Sequence, residues 1–143
     1  MSHLNTFKTD ITDRDCLVKA LCRMGFTRNQ IEVNDKAENL RGYHGFEGQK
    51  AHVIIRQPHS QIRSDVGWEK QGETFVGHVD GYWGIYDDKW NVTLMDNYIT
   101  EKKKAELEAK GLTVVETRDA MNRIQLRAKF AAPKNTGKIQ TRS

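Results

Sequence analysis

His78 and Asp80 are the two residues whose types and spacing come closest to a catalytic or metal-binding pattern. Residues two apart on a β-strand project from the same face, so an imidazole and a carboxylate would stand side by side. Asp87 or Asp88 from the following segment could add a third metal ligand. The chain has no H-x-x-x-H, H-E-x-x-H or paired C-x-x-C pattern. We therefore predict no metal and no cofactor, and keep a metal- or histidine-dependent small enzyme as an alternative.

The other nucleophilic or titratable residues do not complete a catalytic set. His44, His52 and His59 have no partner in the sequence that would orient or perturb a general acid–base. Cys16 and Cys22 project from opposite sides of one predicted helix, which is typical of packed thiols in a reducing compartment. No nucleophile elbow, phosphate-binding loop or dinucleotide fingerprint is present. We favour a protein that is not an enzyme and acts by binding.

The segment between the predicted strand ending at Asp80 and the second predicted helix is rich in aromatic residues. Tyr82, Trp83, Tyr86 and Trp90 fall within nine residues. Tyrosine and tryptophan are favoured as anchors of protein interfaces, so these four are the candidate partner-binding residues. The other interpretation is that Trp83 and Trp90 pack inward over the core.

The net charge of +4 suggests a nucleic-acid partner as a further alternative. Residues 131–143 contain three basic residues and no acidic one, which leaves 20 basic against 19 acidic residues in positions 1–130. Their composition predicts a disordered basic tail. Aromatic side chains could stack on unpaired bases while arginines hold phosphates. The basic residues assigned to this alternative are Arg41, Arg56, Arg63, Lys134, Lys138 and Arg142.

The periodicity of apolar residues predicts two helices and several strands. The first helix opens at Thr12 and stops at Gly25, and the second runs from about Thr93 to Lys110. This order predicts an α+β domain over residues 1–130, with a mainly antiparallel sheet and two helices packed on one face. The predicted strands are Leu4–Ile11, Ala51–Gln57, Val66–Lys70, Thr74–Asp80, Leu112–Thr117 and Arg123–Phe130.

Length and hydropathy favour a soluble protein that has no membrane partner. At 143 residues the chain suits one domain, and no apolar run reaches the ~18 residues of a membrane span. The first residues also lack the charged-then-apolar layout of a secretory signal. We expect a cytoplasmic protein.

Four short patches occur in a distinctive order along the chain. They are Met1-Ser2-His3, Arg41-Gly42-Tyr43-x-Gly45, Val53-Ile54-Ile55-Arg56-Gln57 and Asp65-x-Gly67-Trp68. Together they resemble the hypothetical chloroplast reading frame thirty-five family, small proteins of plastids, cyanobacteria and some of their phages. The resemblance covers most of residues 1–117 and departs at residues 27–39, at Gly77-His78 and in the tail.

The resemblance implies a setting rather than a reaction. It implies a cyanobacterial cytoplasm, a plastid stroma or the cytoplasm of a phage-infected host. The family has no established activity, and so no functional residue is carried over from it.

Overall fold

The polypeptide forms two compact units, Met1–Glu101 and Lys102–Ser143, in a computed structural model of the chain. The structure describes residues 4–42, 48–80 and 85–130, apart from the side chains of residues 4, 5 and 80. The predicted basic tail, residues 131–143, lies outside the described residues.

The first unit is built on a five-stranded antiparallel sheet. Its strands are Leu4–Lys8 (β1), Ile31–Asn39 (β2), Lys50–Ile55 (β3), Val66–Gln71 (β4) and Thr74–Asp80 (β5). Their order across the sheet is β1-β5-β4-β3-β2. Strands β4 and β5 form a hairpin, in which Gly72 takes a positive φ of 67° that a glycine adopts without strain.

One face of this sheet is apolar and forms the core with the first helix. Trp68 of β4 and Val53 of β3 are cross-strand partners, and both are fully buried. Helix α1, Arg14–Arg23, adds Leu17 and Leu21, four residues apart and fully buried. The α1 helix begins where the Asp13 carboxylate accepts a hydrogen bond from the Cys16 N–H at 3.0 Å, as an N-cap does.

The second helix, α2, spans Asp88–Ala109 and is held against the start of α1 by a buried tyrosine. The Tyr98 hydroxyl oxygen accepts hydrogen bonds from the backbone N–H groups of Thr12 and Asp13, both at 3.1 Å. The predicted fold class is confirmed: the chain is α+β, with a mainly antiparallel sheet and two helices packed on one face.

Strand β2 and the start of helix α2 differ most from the sequence prediction, and the strands predicted over Leu4–Ile11 and Ala51–Gln57 end earlier, at Lys8 and Ile55. Strand β2 was not predicted because its residues are mostly charged or amide-bearing, and only Ile31 among them is buried. Helix α2 begins at Asp88 rather than near Thr93. It starts earlier because the Asp87 carboxylate accepts a hydrogen bond from the Trp90 N–H at 2.8 Å and so caps the helix.

Two glycines let side chains from neighbouring segments pack directly against the backbone of the sheet. A Cβ atom at Gly77 would overlap the ring of Phe7 in β1. A Cβ atom at Gly67 would lie 2.5 Å from the Cβ of Ala51 and 2.8 Å from a methyl carbon of Leu40. Both glycines are therefore required for close packing rather than for an unusual φ angle.

The second unit contains the end of α2 and a two-stranded antiparallel sheet. Its strands, Leu112–Arg118 (β6) and Ile124–Phe130 (β7), pair along their whole length. The turn between them is held by Asp119, whose carboxylate accepts hydrogen bonds from the N–H groups of Met121 and Arg123, both at 2.9 Å.

Candidate functional site

An open groove in the first unit runs past the start of helix α2. Two cavities, of about 360 and 270 Å³, share the side chains of Met24, Ile85 and Trp90. Phe26 and Pro58 extend the apolar wall of the larger cavity. We call this the Ile85–Trp90 groove. The remaining residues that line it are Gly25, Gln30, His59, Gln61, Asp87, Lys89 and Thr93.

Trp90 forms the wall of this groove because aromatic rings behind it fix its position. Its indole stacks on Trp68, with ring centroids 6.3 Å apart and 25° between the planes. Tyr86 meets it edge-on at 4.7 Å and 67°. Both arrangements are favourable for aromatic quadrupoles. The groove wall is thus supported directly by the core.

Tyr86 lies behind Trp90 and is almost fully buried. It is 7% exposed, and its hydroxyl donates a hydrogen bond to the carbonyl oxygen of Ser60 at 2.8 Å. Burial raises the pKa of the Tyr86 phenol, so the phenol stays protonated and keeps its role as a donor. Tyr86 therefore joins the 57–65 segment to the start of α2.

The four aromatic residues predicted to bind a partner have different positions. Trp90 lines the groove and is half-buried, whereas Tyr86 offers little surface to a partner. Tyr82 and Trp83 lie outside the described residues. The direct binding role of these four residues stays a prediction.

Sequence reasoning missed the aliphatic part of the groove. Ile85 is 43% exposed and lines both cavities together with the stacked Trp90. Met24 and Phe26 come from the end of α1, where Met24 fits the apolar face of the helix and gives no other signal. Only Ile85, lying inside the aromatic segment, could have been found from the sequence.

A second cluster is centred on Asp65, a carboxylate that is 1% exposed. Its oxygens accept hydrogen bonds from the backbone N–H groups of Arg41 and Gln57, at 2.8 and 2.9 Å, and from Arg56 Nη1 at 2.7 Å. Arg56 also binds Glu32 in a bidentate pair, at 3.0 and 2.9 Å. The charge of Arg56, the Arg41 Nε atom 3.6 Å away and the backbone N–H donors together compensate the buried carboxylate.

The Arg56 guanidinium has consequences for the nucleic-acid alternative. Its hydrogen bonds to Glu32 hold the pKa of that carboxyl below its usual value. Binding a phosphate would require Arg56 to leave both carboxylates, so it is not a ready phosphate contact. Arg41 donates its backbone N–H to Asp65, and its side chain, although 74% exposed, also forms an ion pair with that carboxylate at 3.6 Å. Arg63 is exposed, and the tail residues of this set lie outside the described residues.

A third cluster surrounds His78, which is 2% exposed. Its Nδ1 lies 3.0 Å from the Thr6 hydroxyl, and its Nε2 lies 2.9 Å from Glu69 Oε1. The Gln49 side-chain amide lies 2.9 Å from the same Nε2. With Nε2–H donating to Glu69 and the Thr6 hydroxyl donating to Nδ1, both ring nitrogens have a partner, and the Gln49 amide nitrogen then donates to Glu69 Oε1 at 3.3 Å rather than to the ring.

The ionisation of Glu69 agrees with this arrangement. Burial opposes ionisation of the carboxyl, but hydrogen bonds from Gln71 and His78 outweigh it and lower the pKa of Glu69. A hydroxyl, an imidazole and a carboxylate then stand in series, which is the order used to activate a hydroxyl nucleophile. The alternative of a histidine-dependent enzyme thus has Glu69 as the carboxylate partner of His78.

The predicted partner of His78, Asp80, has a side chain outside the described part of the structure. Both ring nitrogens of His78 are engaged by protein groups, so binding a metal would break a hydrogen bond. Among the described residues, no group of three or more His, Cys, Asp or Glu side chains could hold a metal ion.

In the part of the chain that the structure describes, no helix combines the length and the apolar character that a membrane span needs.

Comparisons with protein-family models, with curated proteins and with solved structures found no match to this chain. The resemblance to the hypothetical chloroplast reading frame thirty-five family therefore stays a prediction.

Proposed function

We propose that this protein is a small binding protein whose Ile85–Trp90 groove holds an apolar segment of a protein partner. The observation that carries the proposal is the exposure of Ile85, at 43%, beside a tryptophan whose position is fixed by stacking. A rigid aromatic wall loses little entropy when a partner binds, which is why tryptophan is favoured at the centre of interfaces.

The chemistry of the groove favours a protein segment over a charged ligand. Its centre is made of Met24, Ile85 and Trp90, and its two charged side chains, Asp87 and Lys89, carry opposite signs. Methionine adapts to irregular apolar partners. The cavities, about 360 and 270 Å³, are each near or below the lower end of the range for drug-sized ligands. They suit one or two large side chains presented by a peptide.

The kind of cell in which this partner occurs is inferred from the family resemblance and is part of the same proposal. The patches at Arg41, Arg56 and Asp65 that carry the resemblance come together in one hydrogen-bonded cluster. This supports their importance to the fold. We propose a partner in a cyanobacterial, plastid or phage-infected cell, with the protein itself in the cytoplasm or stroma.

The experiment compares two substitutions of the same kind in one purified protein. Ile85→Asp places a charge in the groove, and Val92→Asp places one on α2 at a residue that is 60% exposed and does not line the groove. Each variant and the wild type are used to capture partners from a cyanobacterial lysate. A partner retained by wild type and Val92→Asp but lost by folded Ile85→Asp is the expected result. Equal capture by Ile85→Asp would contradict the proposal.

A further inference from the structure

The two units of the chain carry charges of opposite sign. The second unit has eleven lysines and arginines against four acidic residues, a net charge of +7. The first unit has twelve lysines and arginines against fifteen acidic residues, a net charge of −3. The charges of the two units add up to the +4 of the whole chain. Within residues 102–130 alone the count is eight against four. Four of these eight basic residues lie at the end of α2 or directly after it, and residues 112–130 carry four basic against two acidic residues, a net charge of +2. The hairpin is therefore basic by itself, although less so than the tail and the end of α2 together.

The β6–β7 hairpin presents its two faces differently. Leu112, Val114, Ile124 and Leu126 are half-buried and lie on one face. The register pairs Thr113 with Lys129, Val115 with Arg127 and Thr117 with Gln125, which places these six on the other face. All six are exposed. One face of the hairpin thus offers hydroxyl, amide, guanidinium and ammonium groups to solvent.

The dimensions of this hairpin fit the major groove of duplex DNA. Two paired strands are about 5 Å apart, and each seven-residue strand is roughly 20 Å long. The major groove of B-DNA is about 12 Å wide and admits a two-stranded β-ribbon. Gln, Thr, Arg and Lys are the side chains that such ribbons use to contact base edges and phosphates.

We propose that the β6–β7 hairpin is a duplex-DNA-binding ribbon that enters the major groove with its exposed face. Arg127 and Lys129 supply the positive charge, and Gln125 and Thr117 contact base edges. Arg118 and Arg123 serve the turn instead, since Arg118 donates to the carbonyl of Asn122 at 2.9 Å and Arg123 pairs with Asp119 at 2.8 Å. This site is separate from the Ile85–Trp90 groove and does not rest on it.

The test measures binding of the full chain to a fluorescent 20-base-pair duplex by anisotropy across a range of salt concentrations. Arg127→Ala/Lys129→Ala is compared with Lys19→Ala/Lys36→Ala, which removes two exposed charges from the first unit. Removing two phosphate contacts should reduce the slope of log affinity against log salt by about 1.8, whereas the control pair should leave it unchanged. Thermal unfolding of all proteins confirms that the exposed substitutions leave the fold intact.

A protein truncated after residue 130 distinguishes DNA binding by the hairpin from DNA binding by the tail. We expect it to keep binding duplex DNA, to lose more affinity when Arg127 and Lys129 are replaced, and to prefer the duplex over a single strand of the same length. The proposal is overturned if the hairpin variant binds as tightly as the control pair, or if the shortened chain loses all binding. Binding to vesicles containing phosphatidylserine without any binding to DNA would overturn it in favour of a membrane surface.

Discussion

The indole ring of Trp90 stacks on that of Trp68, with 6.3 Å between the ring centroids and 25° between the ring planes. Trp68 is fully buried in the centre of the sheet, whereas Trp90 is half-buried and lines the groove. The stack therefore connects the core of the first unit directly to its candidate binding surface. A partner would meet a wall that is already in place.

Replacing Trp90 with alanine should lower the free energy of unfolding by about 2–3 kcal/mol, because the stack on Trp68 and the contact with Tyr86 are both lost. Val92→Ala is the matched control, since Val92 is in the same helix and 60% exposed. It should change stability by less than about 0.5 kcal/mol. Urea unfolding followed by circular dichroism measures the free energy of unfolding of both variants. An equal loss in Trp90→Ala and Val92→Ala would mean that the core does not support Trp90.

Gly77 and Phe7 should be energetically coupled. Gly77→Ala forces the Phe7 ring off the sheet and should cost about 2 kcal/mol or more. In a Phe7→Leu background, the smaller side chain leaves room for the added methyl group. The cost of Gly77→Ala should then fall by at least about 1 kcal/mol, measured as a double-mutant cycle. Additive effects would show that the ring does not rest on Gly77.

Asp65 should be among the polar residues most sensitive to substitution. Asp65→Asn leaves Arg56 facing a neutral, poorer acceptor in a buried site, and should lower the free energy of unfolding by about 3 kcal/mol or more. Asp35→Asn is the control. It removes an ion pair with Arg14 in which the Asp35 side chain is 95% exposed, so the free energy of unfolding should hardly change. Chemical denaturation compares them. A small effect at Asp65 would show that its charge is not needed.

Stability should fall in acid because of Glu32 and Glu69. The pKa of each is lowered from 4.5 in the folded chain, so folding favours their ionised forms. Their contribution is fully present above the unfolded pKa and is lost as the pH falls through the folded one. Between about pH 5 and 3, Glu32→Gln/Glu69→Gln should therefore lose less stability than wild type. Urea unfolding at each pH measures the difference, and an equal loss of stability in the variant and in wild type would contradict the prediction.

Most of the fold could be predicted because its signals are local. The apolar face of α1, the stop at Gly25 and the hairpin around Gly72 depend on residues close in sequence. Strand β2 could not be predicted, because it lies at an edge of the sheet and carries Glu32, Asp35 and Lys36. An edge strand needs little apolar surface, so it lacks the alternation that identifies a strand.

The candidate site was less accessible to sequence reasoning because it depends on contacts between distant segments. Trp90 was found from aromatic density alone. Its stacking on Trp68 and the arrival of Met24 from α1 depend on how the elements pack. The hydrogen bond between His78 and Glu69 follows from the β4–β5 register, which pairs Gly67 with His78 and places Glu69 two residues further along β4. The whole-chain charge also concealed the opposite charges of the two units.

The central claim is that the Ile85–Trp90 groove receives a protein partner, and site-specific photo-crosslinking tests it most directly. A photoreactive phenylalanine analogue replaces Ile85 in one protein and Val92 in another, so that both probes are exposed apolar residues near one end of α2. After irradiation with a cyanobacterial lysate, we predict one discrete adduct from position 85 that is absent from position 92. An excess of unlabelled wild-type protein should compete it away, whereas excess Trp90→Ala should not. Identical adducts from both positions, or competition by Trp90→Ala as strong as by wild type, would contradict the claim.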